Sequence, residues 1–349
     1  MVDGAPLMVA EALGLFGKHG VPVRLSREVG WASVRDLLIH QEIVAAHAPA
    51  TMAFALRCGL GSLAVPCLTA FVLSHNGSAI TLSVSLRRAG VVDAPSLGQF
   101  IRGKSIERKL RFAAVFAYAT QLANLRNWLA SAGLDVDRDV DLVLLPSPLV
   151  HRSLASGHID GFCVAEPWNS VAESEGSGWI VCHSAAGRVE QPEKVFLVLE
   201  RFEKQFPDEH LAMVAALQEA GALCEDPAFR PELVRLLSLP GYLDLPAAVL
   251  SRSLPFKRDA VATGHVRFGA GPIGMPTRAR GRIVFDLLEA LGVQKECRSF
   301  RRDIIPKIFR EDLYQRALER PPFPCPVGAA AEAAPASQPS PDLVRTLAA

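Results

Sequence analysis

Up to Arg201 the chain alternates short apolar, strand-like runs with short helices, and beyond it the pattern is almost wholly helical. Strands separated by helices argue for sheets with helices on both faces, here expected to be parallel, with ligands beyond the carboxyl ends of the strands. The strand-like runs are "VPVRLS" (21–26), "IVAAHA" (43–48), "VPCLTAFVLS" (65–74), "AITLSVSL" (79–86), "RFAAVFA" (111–117), "DVDLVLLP" (139–146), the apolar part of "GHIDGFCVAEPWN" (157–169), "WIVCH" (179–183) and "KVFLVLE" (194–200). Helical spacing of Leu7, Val9, Leu13 and Phe16 predicts a helix from Ala5 to Lys18. Further helices are predicted from Trp31 to His40, from Pro49 to Cys58 with Gly59 as the stop, over 120–133 with Thr120 as a cap, and from Pro148 to Ser156. After Arg201 they fall at 208–225, 230–237, 246–253 and 279–292. From Pro321 the sequence is rich in Pro, Ala and Ser, and 320–349 is expected to be a disordered tail.

With 349 residues, 50% of them hydrophobic, the chain can bury enough apolar surface for two lobes. Lysine plus arginine number 37 against 36 for aspartate plus glutamate, which favours neither nucleic acid nor an anionic membrane as a partner. The 7 cysteines are dispersed without a CxxC pair and read as small, reduced core residues. No apolar run reaches the ~20 residues of a membrane span, and no signal-peptide pattern opens the sequence. As written it is therefore expected in the cytoplasm. Motif by motif, HExxH, GxSxG and spaced metal ligands are missing. "GAGPIG" (269–274) fits GxGxxG only as a string, because Pro272 removes a backbone donor from the supposed phosphate cradle and the surroundings are helical. His47, alone in its apolar run, reads as a packed or exposed side chain rather than a ligand.

Several stretches nevertheless occur in a recognisable order: "APLMVAEALGLFGKHGVPVRLSREVGWASVRDLL", "AAHAPATMAFAL", "LSHNGSAITLS", "WLASAGLD", "GHIDGFCVAEPWN", "PEKVFLV" and "RDIIPKIFREDLYQRAL". Together they resemble the nitrate/nitrite/bicarbonate substrate-binding proteins of ABC transporters and the related cytosolic nitrate sensors, from residue 3 to about 318. The resemblance implies an α/β, two-lobed, type II periplasmic-binding-protein-like fold with a helical C-terminal part, closing on a small anion without a cofactor. Residues 1–83 and 190–319 would form one lobe and 84–189 the other. The family's first strand normally precedes the position of Asp3, so that strand is expected upstream of Met1 or missing. An upstream signal would make the location periplasmic or membrane-associated.

Nitrate is a planar monoanion that accepts hydrogen bonds and has none to donate. Its pocket needs N–H or O–H donors, one positive charge and no facing carboxylate. Bicarbonate carries a hydroxyl, so its site also needs an acceptor or a bound cation. By resemblance, Lys194 matches the anion-pairing lysine, Trp31 the pocket tryptophan, and Pro146 and Pro148 a proline-rich pocket loop. Ser78 stands where family members carry Gln or Asn, and Gln121 where nitrate binders carry His; both remain neutral donors. Leu149 stands where the loop usually has glutamine and donates nothing. Glu166 is expected to fix the "EPWN" turn, since a carboxylate would repel the anion, and Trp168 to pack its helix on the sheet.

The resemblance implies a nitrate- or nitrite-binding component of an ABC system, partnered by a permease, or a cytosolic sensor partnered by a regulatory antiterminator. The altered positions leave room for a degenerate protein acting only through protein contacts. An enzyme of the thiamine-pyrimidine precursor type would use a cysteine-rich metal segment, which this sequence lacks.

Overall fold

The computed structural model describes residues 1–103, 108–183, 190–254 and 264–320, together with the backbone of 345–347. Its strands are β1 (Arg24–Ser26), β2 (Ala45–Pro49), β3 (Cys67–His75), β4 (Ser78–Ser83), β5 (Leu110–Ala114), β6 (Val140–Leu144), β7 (Gly161–Ala165), β8 (Gly178–His183), β9 (Pro192–Leu199), β10 (Arg267–Phe268) and β11 (Arg345–Leu347). They form two sheets, ordered β1-β11-β2-β9-β3-β10 and β6-β5-β7-β4-β8. The architecture is the expected two-lobed α/β one. The helices after Arg201 also fall where their periodicity places them, at Pro207–Glu225, Arg230–Ser238, Ala247–Ser253 and Arg278–Ala290.

Four expectations are corrected. The sheets are mixed rather than parallel: β9 lies antiparallel to both β2 and β3, and β4 antiparallel to both β7 and β8. These are the two strands that follow the crossings between lobes, and each enters its new sheet against the grain. Second, β4 belongs with the second sheet, so the chain first crosses at Asn76–Gly77 rather than after residue 83. Third, the helix predicted from Ala5 to Lys18 is two helices, Ala5–Ala12 and Leu15–Lys18, divided where Gly14 takes a left-handed φ of 64°. Fourth, although most of the tail lies outside the described residues, 345–347 are a strand inserted between β1 and β2, parallel to both. The first sheet thus takes a strand from the end of the sequence, where composition argued for disorder.

The crossings are tied to one another. Asn76 N–H donates to the Gln191 carbonyl (3.0 Å), and Gln191 N–H donates back to the Asn76 side-chain oxygen (3.0 Å). Gly77 holds φ +82°, and a Cβ there would lie 2.7 Å from Val266 Cβ, so conformation and space both require glycine. Its carbonyl accepts from Glu166 N–H, and the Glu166 carbonyl from Val2 N–H, each at 3.0 Å. Apolar packing anchors each sheet: Phe54, Phe71, Phe196 and Phe309 are fully buried around the first, Phe112, Leu125 and Leu129 against the second. Each contributes about 1.5–3 kcal/mol of burial.

Candidate functional site

Lys194 sits on β9, the strand flanked by β2 and β3, with Pro49 and Ser74 as its cross-strand partners. A residue this central to a sheet is buried by construction, and Lys194 is 0% exposed. An ammonium there requires counter-charge, because an unpaired buried ion costs several kcal/mol. Two carboxylates provide it: Asp3 Oδ2 at 2.9 Å and Glu193 Oε1 at 2.8 Å from Nζ. Burial alone would lower the Lys194 pKa, but the two acids outweigh it and hold the pKa above its usual value. Burial would likewise raise Asp3; Lys194 and the neighbouring His47 instead hold it well below the carboxylate range. His47 Nε2 is 3.2 Å from Asp3 Oδ1, and burial lowers the imidazole pKa despite that acid, which keeps the ring neutral.

The Trp31 indole completes the first lobe's share. It opens the helix Trp31–Ile39, its ring 5.6 Å from Lys194 Nζ and 5.5 Å from the His47 ring. The ammonium is therefore flanked by an aromatic ring, as a partly desolvated cation prefers.

The second lobe contributes the start of β4 and the first turn of the helix Thr120–Ser131. Gln121 Nε2 donates to Ser78 Oγ (3.2 Å) and to Glu193 Oε1 (2.6 Å), and Thr120 Oγ donates to the same Oε1 (2.6 Å). Pro146 follows β6 and stands across the cleft from Gly30, where an added Cβ would be 3.8 Å from the proline ring. Lys194, Trp31, Gln121 and Ser78 thus come together in one cluster, while Pro146 stands beside Gly30. A crevice of about 20 Å³ lined by Gly30, Trp31, Ser147, Pro148 and Trp168 has room for about one water. The lobes are closed over Lys194. Leu149 is 42% exposed.

The expectation that no carboxylate faces the site is corrected. Asp3 and Glu193 both do, because a lysine central to a sheet cannot stay charged without them. Adjacent residues of a regular strand point to opposite faces, so a Glu-Lys pair converging on one cluster is not the default. The pairing of β3 with β9 shifts register between Val72 and Ser74 and again between Ser74 and His75. Irregularities of this kind re-aim side chains. Thr120 is also not a cap: Ala119 holds that position and the threonine hydroxyl turns to Glu193.

Sequence reasoning thus missed Asp3, His47, Thr120 and Glu193. The available signals were the acid preceding Lys194 in "PEK" and a histidine inside an otherwise apolar strand. Buried polar atoms without a protein partner stand close by in sequence or register: Ser74 Oγ, Thr51 Oγ and both side-chain atoms of Asn124, one turn beyond Gln121. Glu166 behaves as read, its Oε2 accepting from Ser170 N–H (3.1 Å) and Ser253 Oγ (3.3 Å), with burial pushing its pKa up to about 7. Trp168 stacks on His151 at 5.5 Å and also lines the crevice.

Comparison with known proteins gives the family. The model of the NMT1-like family matches residues 1–238. The nitrate import ATP-binding protein NrtC of Synechocystis is 32% identical over 333 residues, 93% of this chain and 49% of that protein. The chain thus spans about half the length of that relative. The bicarbonate-binding protein CmpA of Synechococcus elongatus is 25% identical over 346 residues, 91% of this chain and 76% of that protein. The crystal structure of the periplasmic nitrate-binding protein NrtA from Synechocystis superposes with a TM-score of 0.81 at 21% identity, covering 91% of this chain and 86% of that one. No helix among the described residues is long and apolar enough to cross a membrane. The chain belongs to the NMT1-like family, among relatives named for binding or importing nitrate and bicarbonate.

Proposed function

We propose that the chain binds a small oxyanion, nitrate or nitrite, between its lobes, and that lobe closure on the anion is its output. One observation carries this reading: the buried Lys194 ammonium, with Trp31 at 5.6 Å, converges on one oxygen, Glu193 Oε1, with neutral donors of Gln121 and Thr120 that come from the opposite lobe. An anion bridging donors from both lobes favours the closed form over the open one by its differential affinity for the two. Helix and strand ends hold every one of these groups, so little reordering accompanies closure. The names of NrtC, NrtA and CmpA support an anion of this size, and NrtC supports a role beside an ABC permease. The string GQFIRGKS (98–105) fits the P-loop pattern, but its residues 98–103 lie within the helix Ala94–Gly103 rather than in a loop after a strand, so no phosphate cradle is formed by them.

Bicarbonate is a second reading with one specific observation behind it. Its hydroxyl needs an acceptor, and the Glu193 carboxylate stands among the donors. Calorimetric titration with nitrate, nitrite and bicarbonate tests both. Saturable one-to-one heat with nitrate or nitrite supports the first reading, and with bicarbonate alone the second. No uptake of any of the three sinks both.

A further inference from the structure

We propose that Glu193 is a tethered occupant of the anion position, which the incoming ligand must displace. The inference rests on the oxyanion reading above and names the residue that sets its affinity. A carboxylate is itself a planar oxyanion. Glu193 Oε1 receives Lys194 Nζ at 2.8 Å, Gln121 Nε2 at 2.6 Å and Thr120 Oγ at 2.6 Å, so donors of both lobes converge on one oxygen. This is the bridging pattern a bound anion would make. It is made here by a side chain of the crossing strand itself, with Lys194 fully buried and the lobes closed.

Charge reinforces the geometry. Asp3 and Glu193 set two carboxylates against the one ammonium of Lys194, a formal charge of −1 for these three groups. Adding nitrate with Glu193 still in place would bring −2 into a buried site, where like charges repel strongly. With Glu193 swung out, Lys194, Gln121 and Thr120 are released together and nitrate replaces one anion by another. Asp3 remains as the lysine's counter-ion, held by the ion pair and His47. Glu193 therefore lowers affinity, excludes ligands that collect these donors less well than a carboxylate, and keeps the unliganded lobes together.

The test is calorimetric titration of the full chain with sodium nitrate at constant ionic strength set by chloride, for wild type, Glu193→Gln, Glu193→Ala and Lys194→Met. Small-angle scattering of the unliganded proteins accompanies it. The expected result is nitrate binding at least tenfold tighter in both Glu193 variants and absent in Lys194→Met. The unliganded Glu193→Ala protein should also have a larger radius of gyration than wild type, contracting when nitrate is added. Binding no tighter in either Glu193 variant, with Lys194→Met still inactive, overturns the proposal and leaves the oxyanion reading standing. If no variant and not wild type takes up nitrate, the oxyanion reading fails first and the proposal with it.

Discussion

Replacing Lys194 with methionine is the sharpest perturbation of the cluster, because the change keeps the bulk and removes the charge. Both acids that flank Nζ, at 2.9 and 2.8 Å, are almost fully buried, and they lose the same partner. Glu193 keeps the Gln121 and Thr120 donors, whereas Asp3 keeps His47 at 3.2 Å. The loss therefore falls mainly on Asp3. Breaking a buried pair from one side costs about 3–5 kcal/mol. Asp3 is depressed in the fold, so its contribution is present above the unfolded carboxylate pKa and disappears as pH falls through the folded value. Lys194 is raised, so its contribution is complete below the unfolded amine pKa and is lost only as pH rises through the folded one. The gap between variant and wild type should accordingly be full between roughly pH 4 and 10 and shrink at acid pH. Urea denaturation followed by far-ultraviolet circular dichroism, at neutral pH and near pH 3, measures it. Adding Asp3→Asn should recover part of the loss, since it removes the stranded charge. A variant within about 1 kcal/mol of wild type at neutral pH, or strictly additive double substitution, would refute the reasoning.

Further outcomes follow from other parts of the molecule. Glu166 has a folded pKa raised by burial to about 7, so the folded state binds the extra proton and the contribution of this group to stability falls as pH rises from about 4.5 to 7. Glu166→Gln should remove that contribution and gain about 3 kcal/mol relative to wild type above pH 7, visible as a difference between the two denaturation midpoints that grows from about pH 4.5 to 7; a difference that does not change with pH would count against it. Gly77→Ala meets Val266 at 2.7 Å in a left-handed conformation and should cost about 2–4 kcal/mol, whereas Gly90→Ala, with open space around it, should cost only the conformational part. Removing the residues after Arg320 deletes β11, and hydrogen exchange at Arg24–Ser26 should accelerate because β1 pairs with that strand. Unchanged protection there would argue against the C-terminal strand.

The strands and the later helices were legible because apolar periodicity and glycine or proline stops are local signals, whereas the two-lobed plan came from chain length and from the resemblance. Lys194 and Trp31 could be named together only through resemblance, and the structure sets them 5.6 Å apart. Strand partnership was not legible: "AITLSVSL" reads as a strand but carries no mark of which sheet it joins. The counter-ions were hidden for different reasons. Asp3 lies far from Lys194 in sequence, and Glu193 reaches the same cluster only through the register shifts between β3 and β9. Residues 345–347 were hidden by composition, since three residues in a Pro/Ala/Ser-rich tail carry no periodic signal; they show as a strand only through pairing with β1 and β2.

The most direct measurement is a crystal structure of the chain grown with nitrate at a concentration that saturates the calorimetric signal. Planar density within hydrogen-bonding distance of Lys194 Nζ and Gln121 Nε2, with the Glu193 carboxylate moved aside, is the predicted result. Density elsewhere on the surface, or an unliganded cluster with Glu193 still on those donors, would contradict it.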